Sequence, residues 1–393
     1  MQALILVVCI SRVCSLPGLP ALSLDKNSVT ISGISSGADL ASHAATALSD
    51  LIFGAAIFAG EPWGCAIQRF PGEPSYDCSV KAGGSVGPGC PGGGFPGMAQ
   101  CVGCDPGKTL SYDHCKHDAS HNPPVLLNPA ILVEAAITAS QKGLIAPTYN
   151  LRRSRVLGFR GSLDSCYLDG SVNATVDFFR AFAEQDKQVV MVAGWPMQHA
   201  LPTIDPILNS SSCGKDVPTF NAMANCGYDG AGESLKHMFG SSASLTPPAS
   251  HACEADCTEN LHPFNQTLYI PGDWQGGELS SQGWLYIPKA CSGVAAAGCK
   301  LHISLHGCGM SMWGDMGMNY VKHSGFNPWG EANNIVILYP QSGGFLERGE
   351  KGPSDQLTGG CFDGYGQTRD DFAYSTGPQL ATLRNMIKAL QLS

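Results

Sequence analysis

Gly33-Ile-Ser-Ser-Gly37 has the form G-x-S-x-G, the spacing that sets a serine on a sharp turn between a strand and a helix. A serine hydroxyl is a poor nucleophile at neutral pH. It needs a base to take its proton and a third group to orient that base. Asp164 and His199 follow Ser35 in the order Ser, Asp, His. Such a set drives attack of an activated alcohol on a carbonyl carbon. The charge that develops on the carbonyl oxygen needs two backbone N–H donors. One is expected from Ser36, the residue after the nucleophile. The other is expected from Leu305-His306-Gly307-Cys308, through the N–H of Cys308. His306 reads as the brace of that loop, and Gly307 gives it freedom to turn.

These residues need elements to carry them. Val29-Thr30-Ile31 reads as a strand entering the Gly33 turn, and Ala38 to Leu48 as the helix after it. Leu51 to Phe58 is an apolar run that fits a buried parallel strand. Arg155 to Phe159 and Gln188 to Val192 are further strands. The loop after the first holds Asp164, and the loop after the second holds His199. Ile131 to Lys142, Val172 to Gln185 and Gln379 to Leu390 read as helices. Gly283 to Pro288, Leu301 to Leu305 and Ile335 to Tyr339 read as later strands. The alternation predicts an α/β fold with a mostly parallel sheet and helices on both faces.

Other residues compete for the same roles. Ser35 read alone is also an ordinary glycine turn before a helix. Asp169 follows the same strand as Asp164 at greater distance and is its main rival; Asp177 falls within a helix, on a solvated face. His43 and His237 sit in helices. His114, His117 and His121 lie in or beside a cysteine-rich stretch, His251 and His262 flank a polar linker, and His323 follows no strand. Trp63, Trp313 and Trp329 lie near strand ends or the His306 loop. They read either as the walls of an apolar cleft or as core tryptophans.

Composition narrows the setting. The chain has 393 residues, 44% hydrophobic and 14% charged, which suits a globular protein with a large core. Its net charge of -9 argues against nucleic acid as a partner. Residues 1–15 are apolar and end in small residues, as a signal peptide does, though no Lys or Arg precedes the apolar run; a buried strand is the alternative. No later segment is long and apolar enough to span a membrane. Seventeen cysteines and the sequons at Asn173, Asn209 and Asn265 fit an extracellular glycoprotein. Residues 16–393 are expected to form a single catalytic domain, with a disulfide-rich insertion at about 71–122. Within it Cys101, Cys104, His114, Cys115 and His117 offer zinc-type ligands, but an oxidising compartment favours disulfides.

The placement of the elbow is unusual. Fewer than 35 residues precede it, and the His306-Gly307 loop, which normally comes first, lies far downstream. Here the chain resembles a known family. Ser32-Gly-Ile-Ser-Ser-Gly37, the Asp164 loop, Gln198-His-Ala-Leu-Pro-Thr203, Asn225-Cys-Gly-Tyr-Asp229, Leu305-His-Gly-Cys308, Asn333-Asn-Ile-Val-Ile-Leu-Tyr-Pro-Gln341 and Gly360-Cys361 are similar to secreted poly(3-hydroxybutyrate) depolymerases of the fungal, single-domain type. The resemblance runs from about residue 25 to the C-terminus, apart from the insertion. It implies a circularly permuted α/β-hydrolase, a Ser35–His199–Asp164 triad and an oxyanion hole at Ser36 and Cys308. It also implies hydrolysis of hydroxyalkanoate esters through an acyl-enzyme, and fits a Cys308–Cys361 disulfide. Where the family tends to have Cys-Trp-Asp-Trp, this chain has Cys361-Phe-Asp-Gly364, leaving Phe362 in a substrate-facing segment. Cys166 replaces an apolar family position, and the insertion is larger than expected.

The expectation is a secreted monomeric serine esterase, without metal or cofactor, acting on a hydrophobic polyester or ester. A feruloyl or acetyl esterase for plant polysaccharide shares the same triad logic. An inactive secreted binding protein of the same fold is the alternative outside catalysis.

Overall fold

The computed structural model describes residues 16–65 and 129–391, apart from residues 165, 166, 168, 209–212, 215–221, 241–243, 253–258, 273–277, 294–297, 315, 351–358, 365 and 367. Residues 1–15, the cysteine-rich stretch at 71–122, Cys166 and Asn209 lie outside the described residues.

Ten strands carry the described fold: β1 Leu24–Ile34, β2 Ile52–Phe58, β3 Arg155–Gly161, β4 Val189–Trp195, β5 Ala200–Thr203, β6 Ala222–Asn225, β7 Leu261–Asn265, β8 Gln282–Tyr286, β9 Cys299–Leu305 and β10 Ile335–Tyr339. Eight of them form one sheet in the order β4-β3-β2-β1-β9-β10-β8-β7, and β5 and β6 pair apart from it. From β4 to β10 every pairing is parallel; β8 runs antiparallel to both its neighbours. The main helices are α1 Ser36–Ala47, α2 Pro129–Gln141, α3 Asp169–Arg180, α4 Gly230–Phe239, α5 Phe326–Asn333 and α6 Pro378–Gln391.

The central strands are apolar throughout because both faces are covered. Side chains alternate between faces with period two. Val29, Ile31, Ala55, Ile57 and Leu338 enter the core shared with α1, α2, α3 and α6. Ala56, Phe58, Phe159, Ile337 and Tyr339 enter the opposite core with α4 and α5. Each buried Val, Ile, Leu or Phe contributes roughly 1.5–3 kcal/mol.

The sheet explains the early elbow. β1 lies between β2 and β9, parallel to both, so the elbow strand neighbours the strand that runs into His306. β7 to β10 occupy the half of the sheet that usually precedes the elbow. The fold is a circularly permuted α/β-hydrolase. The N–H of Leu22 donates to the carbonyl of Leu390 at 2.9 Å, so segments from opposite ends of the chain meet.

Among the elements that differ from the sequence-based expectation, two have a local cause. α3 begins at Asp169 and ends at Arg180, not Val172 to Gln185. The chain leaves the helix where the N–H of Glu184 turns to the carbonyl of Arg152. β7 contains Pro263, which hides it in the sequence; it lies at the sheet edge, where a missing N–H is tolerated. Disulfides join Cys213 to Cys226, Cys291 to Cys299 and Cys308 to Cys361.

Candidate active site

The strands β1, β3, β4 and β9 are mutually parallel, so their C-terminal ends share one edge of the sheet. Ser35, Asp164, His199 and His306 all follow those ends, and all four are buried. Ser35 has φ 57° and ψ -127°. A non-glycine residue held there costs on the order of 1–3 kcal/mol. Its neighbours hold it in place. The Ser35 N–H donates to the Phe58 carbonyl at 3.1 Å, and its own carbonyl accepts from the N–H groups of Ala38 and Asp39 at 2.8 and 3.0 Å. The flanking glycines are required by space. A Cβ on Gly33 would lie 2.1 Å from the Gly37 carbonyl oxygen, and one on Gly37 would lie 2.4 Å from that of His306.

The aspartate and histidine loops are laced together. The N–H groups of Ser162 and Leu163 donate to the carbonyls of Trp195 and Met197 at 2.8 and 3.1 Å. This brings Asp164 Oδ2 within 3.0 Å of His199 Nδ1. An ionised carboxylate only accepts, so Nδ1 carries a proton. Nε2 is buried and has no hydrogen-bond partner among the described residues. Asp164 Oδ1 accepts from the Tyr167 N–H at 3.0 Å. Arg160 grips the turn from below: Nη2 donates to the Asp164 carbonyl at 2.7 Å and Nε to the Tyr167 carbonyl at 2.6 Å. Burial alone would raise the Asp164 carboxyl. His199, Arg160 and the Tyr167 N–H outweigh it and hold the group below its ordinary value.

The third component lies beside the elbow. Ser36 opens α1, and the N–H groups of a first helical turn have no partner within the helix. They sit at the positive end of the helix dipole. Cys308 is buried and disulfide-bonded to Cys361. Its Sγ lies 3.4 Å from Ser36 Oγ, which accepts from the Phe362 N–H at 3.2 Å. His306 Nδ1 donates to the Gly307 carbonyl at 2.8 Å, and Nε2 accepts from the Ser342 N–H at 3.0 Å. Burial lowers its pKa to about 4 despite the carbonyl bond, so the ring is neutral and acts as a brace.

No family model matches the chain. A poly(3-hydroxybutyrate) depolymerase from Delftia acidovorans is 30% identical over 370 residues, which cover 94% of this chain and 60% of that protein. A polyhydroxybutyrate depolymerase from Talaromyces funiculosus is 25% identical over 385 residues, 95% of this chain and 92% of its own. Over most of its length the chain is similar to these poly(3-hydroxybutyrate) depolymerases, and it spans 60% of the length of the first. Its fold matches two solved structures, a PHB depolymerase from Penicillium funiculosum and a serine-to-alanine variant of a PHB depolymerase complexed with an R3HB trimer. Each has a TM-score of 0.66 and 23% identity, and covers 95% of this chain and 98% of the other.

The aromatic residues near the site divide. Trp63 is fully buried, stacked on Phe178 with its indole N–H on the Ala373 carbonyl at 2.8 Å. Trp329 is buried under Lys236, with its indole N–H on Asp229 at 3.0 Å. Both are core residues, which corrects their reading as cleft walls; burial leaves no face for a substrate. Phe362 is also buried, its ring 4.7 Å from that of His306. It sits at the elbow as packing and exposes no substrate-facing surface. Trp313 is 41% exposed.

Asp169 opens α3, and Asp177 is exposed and pairs with Arg180 at 3.3 Å. Among the sequons, Asn173 lies exposed on α3. The Asn265 side chain accepts from the N–H and hydroxyl of Thr267 at 3.1 and 2.6 Å. Arg160 and Tyr167 were not singled out in the sequence. The only trace of them is their spacing around Asp164.

Proposed function

We propose that this chain is a secreted serine esterase that hydrolyses poly- or oligo-(3-hydroxyalkanoate) esters through an acyl-enzyme. One observation carries the mechanism: Asp164 holds His199 Nδ1 at 3.0 Å and leaves Nε2 buried and without a partner among the described residues, at the sheet edge that presents the Ser35 elbow. Ser35 Oγ attacks the ester carbonyl carbon as His199 Nε2 takes its proton. The N–H groups of Ser36 and Cys308 receive the developing negative oxygen. Collapse breaks the C–O bond, and the imidazolium returns the proton to the leaving alcohol. Water, deprotonated by His199, then attacks the acyl-Ser35 ester and releases the acid. Asp164 stays ionised and stabilises the imidazolium in both halves.

The polyester class is supported by the names of the relatives and by the R3HB trimer bound in a neighbouring structure. The partly exposed Trp313 supports an apolar acyl or polymer chain as substrate. Three described disulfides support an extracellular site of action, and exposed Asn173 supports glycosylation there. Eight of the ten described strands share one sheet, which supports a single catalytic domain. The test is hydrolysis of hydroxybutyrate oligomers, polymer films and feruloyl esters by the wild type and Ser35→Ala. Hydroxybutyrate hydrolysis that vanishes in Ser35→Ala is expected. Preference for feruloyl esters would overturn the substrate class, and an active Ser35→Ala would overturn the mechanism.

A further inference from the structure

Tyr167 is fully buried and contacts two members of the proposed triad, Asp164 and His199, and the helix that follows Ser35. Its backbone N–H donates to Asp164 Oδ1 at 3.0 Å. Its ring lies flat against the His199 imidazole, with 8° between planes and 5.5 Å between centroids. Its hydroxyl donates to Asp39 Oδ2 at 2.6 Å. Asp39 lies in the first turn of α1, the helix that follows Ser35, and its N–H donates to the Ser35 carbonyl at 3.0 Å. The other Asp39 oxygen accepts from the Glu61 N–H at 2.9 Å, so the carboxylate is fixed from two sides.

A buried phenol needs a hydrogen-bond partner, and a bond to a carboxylate is short and strong. The Tyr167 ring is therefore clamped at both ends: by its own turn, which Arg160 holds, and by the nucleophile helix. The bond to Asp164 restrains one nitrogen of His199, and a parallel aromatic ring beside it restrains the plane of the imidazole.

We propose that Tyr167 is a positioning residue, which sets the plane of the His199 imidazole and locks it to the helix that carries Ser35. This rests on the triad proposed above. Tyr167 touches no reacting atom; it keeps Nε2 aimed at the nucleophile. Small misplacement of a catalytic group can slow a reaction by about 100-fold.

The test compares wild type, Ser35→Ala, Tyr167→Phe and Tyr167→Leu on a soluble short-chain nitrophenyl ester, with thermal unfolding alongside. Tyr167→Leu is expected to lower kcat about 10- to 100-fold with KM held within about 2-fold. Tyr167→Phe keeps the stack and loses only the tie to Asp39. It is expected to recover most of the rate, with kcat about 3- to 10-fold below wild type. A kcat within about 2-fold of wild type in both variants, or a loss confined to KM, would overturn the proposal. Should Tyr167→Leu fail to fold, Tyr167→Phe decides by the same criterion. An active Ser35→Ala defeats the triad itself. An inactive Ser35→Ala beside unaffected Tyr167 variants defeats the role of Tyr167 alone.

Discussion

Gly37 and His306 come from opposite ends of the chain, yet a Cβ on Gly37 would stand 2.4 Å from the His306 carbonyl oxygen. The elbow helix is seated directly on the end of β9. This contact joins the two halves of the permuted fold. It leaves no flexible side chain that could move aside, because the opposing atoms are backbone. Gly37→Ala is expected to destabilise the protein by about 2 kcal/mol or more. Chemical denaturation checks it; an unchanged midpoint would show that the two segments separate at little cost.

The Cys308–Cys361 bond closes a loop across 53 positions and holds the segment of Phe362 on Ser36. Chain entropy alone assigns such a closure about 4 kcal/mol. Replacing both cysteines by alanine is expected to lower stability by a sizeable part of that and to lower esterase kcat. Calorimetry and kinetics on the same preparation test both. Full activity with an unchanged melting temperature is the contrary result.

Asp164→Asn keeps the shape of the side chain but removes the charge. An amide also allows the wrong imidazole tautomer. We expect kcat to fall about 1,000- to 10,000-fold on soluble esters, with KM little changed. A loss below about 10-fold would point to another carboxylate as the partner of His199.

Three buried histidines make the fold sensitive to acid. His302 bridges the Thr30 and Ser32 hydroxyls at 2.8 Å each, and burial lowers its pKa to about 3. Burial also lowers His43 and His306 to about 4, each partly offset by a bond to a backbone carbonyl. In the unfolded chain all three titrate near about 6.5. Above that pH neither state binds these protons, so stability is at its plateau. Below it, down to about 4, only the unfolded state does, and stability falls as the pH falls. Each histidine costs about 2 kcal/mol by pH 5, on the order of 6 kcal/mol together. The melting temperature is expected to drop steeply from pH 7 to pH 5, with a shallower slope in His302→Gln. A flat profile over that range would contradict the neutral buried state.

Part of this architecture was legible in the sequence because it is encoded locally. Gly33 and Gly37 mark a turn that only small residues permit, and apolar runs such as Leu51 to Phe58 mark strands covered on both faces. Chain order then placed Ser35, Asp164 and His199 after strands whose ends share a sheet edge. What was not legible depends on tertiary packing. Trp63 and Trp329 follow strand ends as cleft residues would, but their surroundings close over them. β5 and β6 are four residues each and carry no pattern beyond Leu201 and Met223. Tyr167 has no motif; its importance comes from reaching Asp39, 128 positions away in the chain.

The most direct test of the central claim is fluorophosphonate labelling of the folded protein, with the modified peptide mapped by mass spectrometry. One label per chain on Ser35, absent in Ser35→Ala, is the expected result. A folded protein that takes no label, or takes it on another residue, would contradict the assignment of Ser35 as nucleophile.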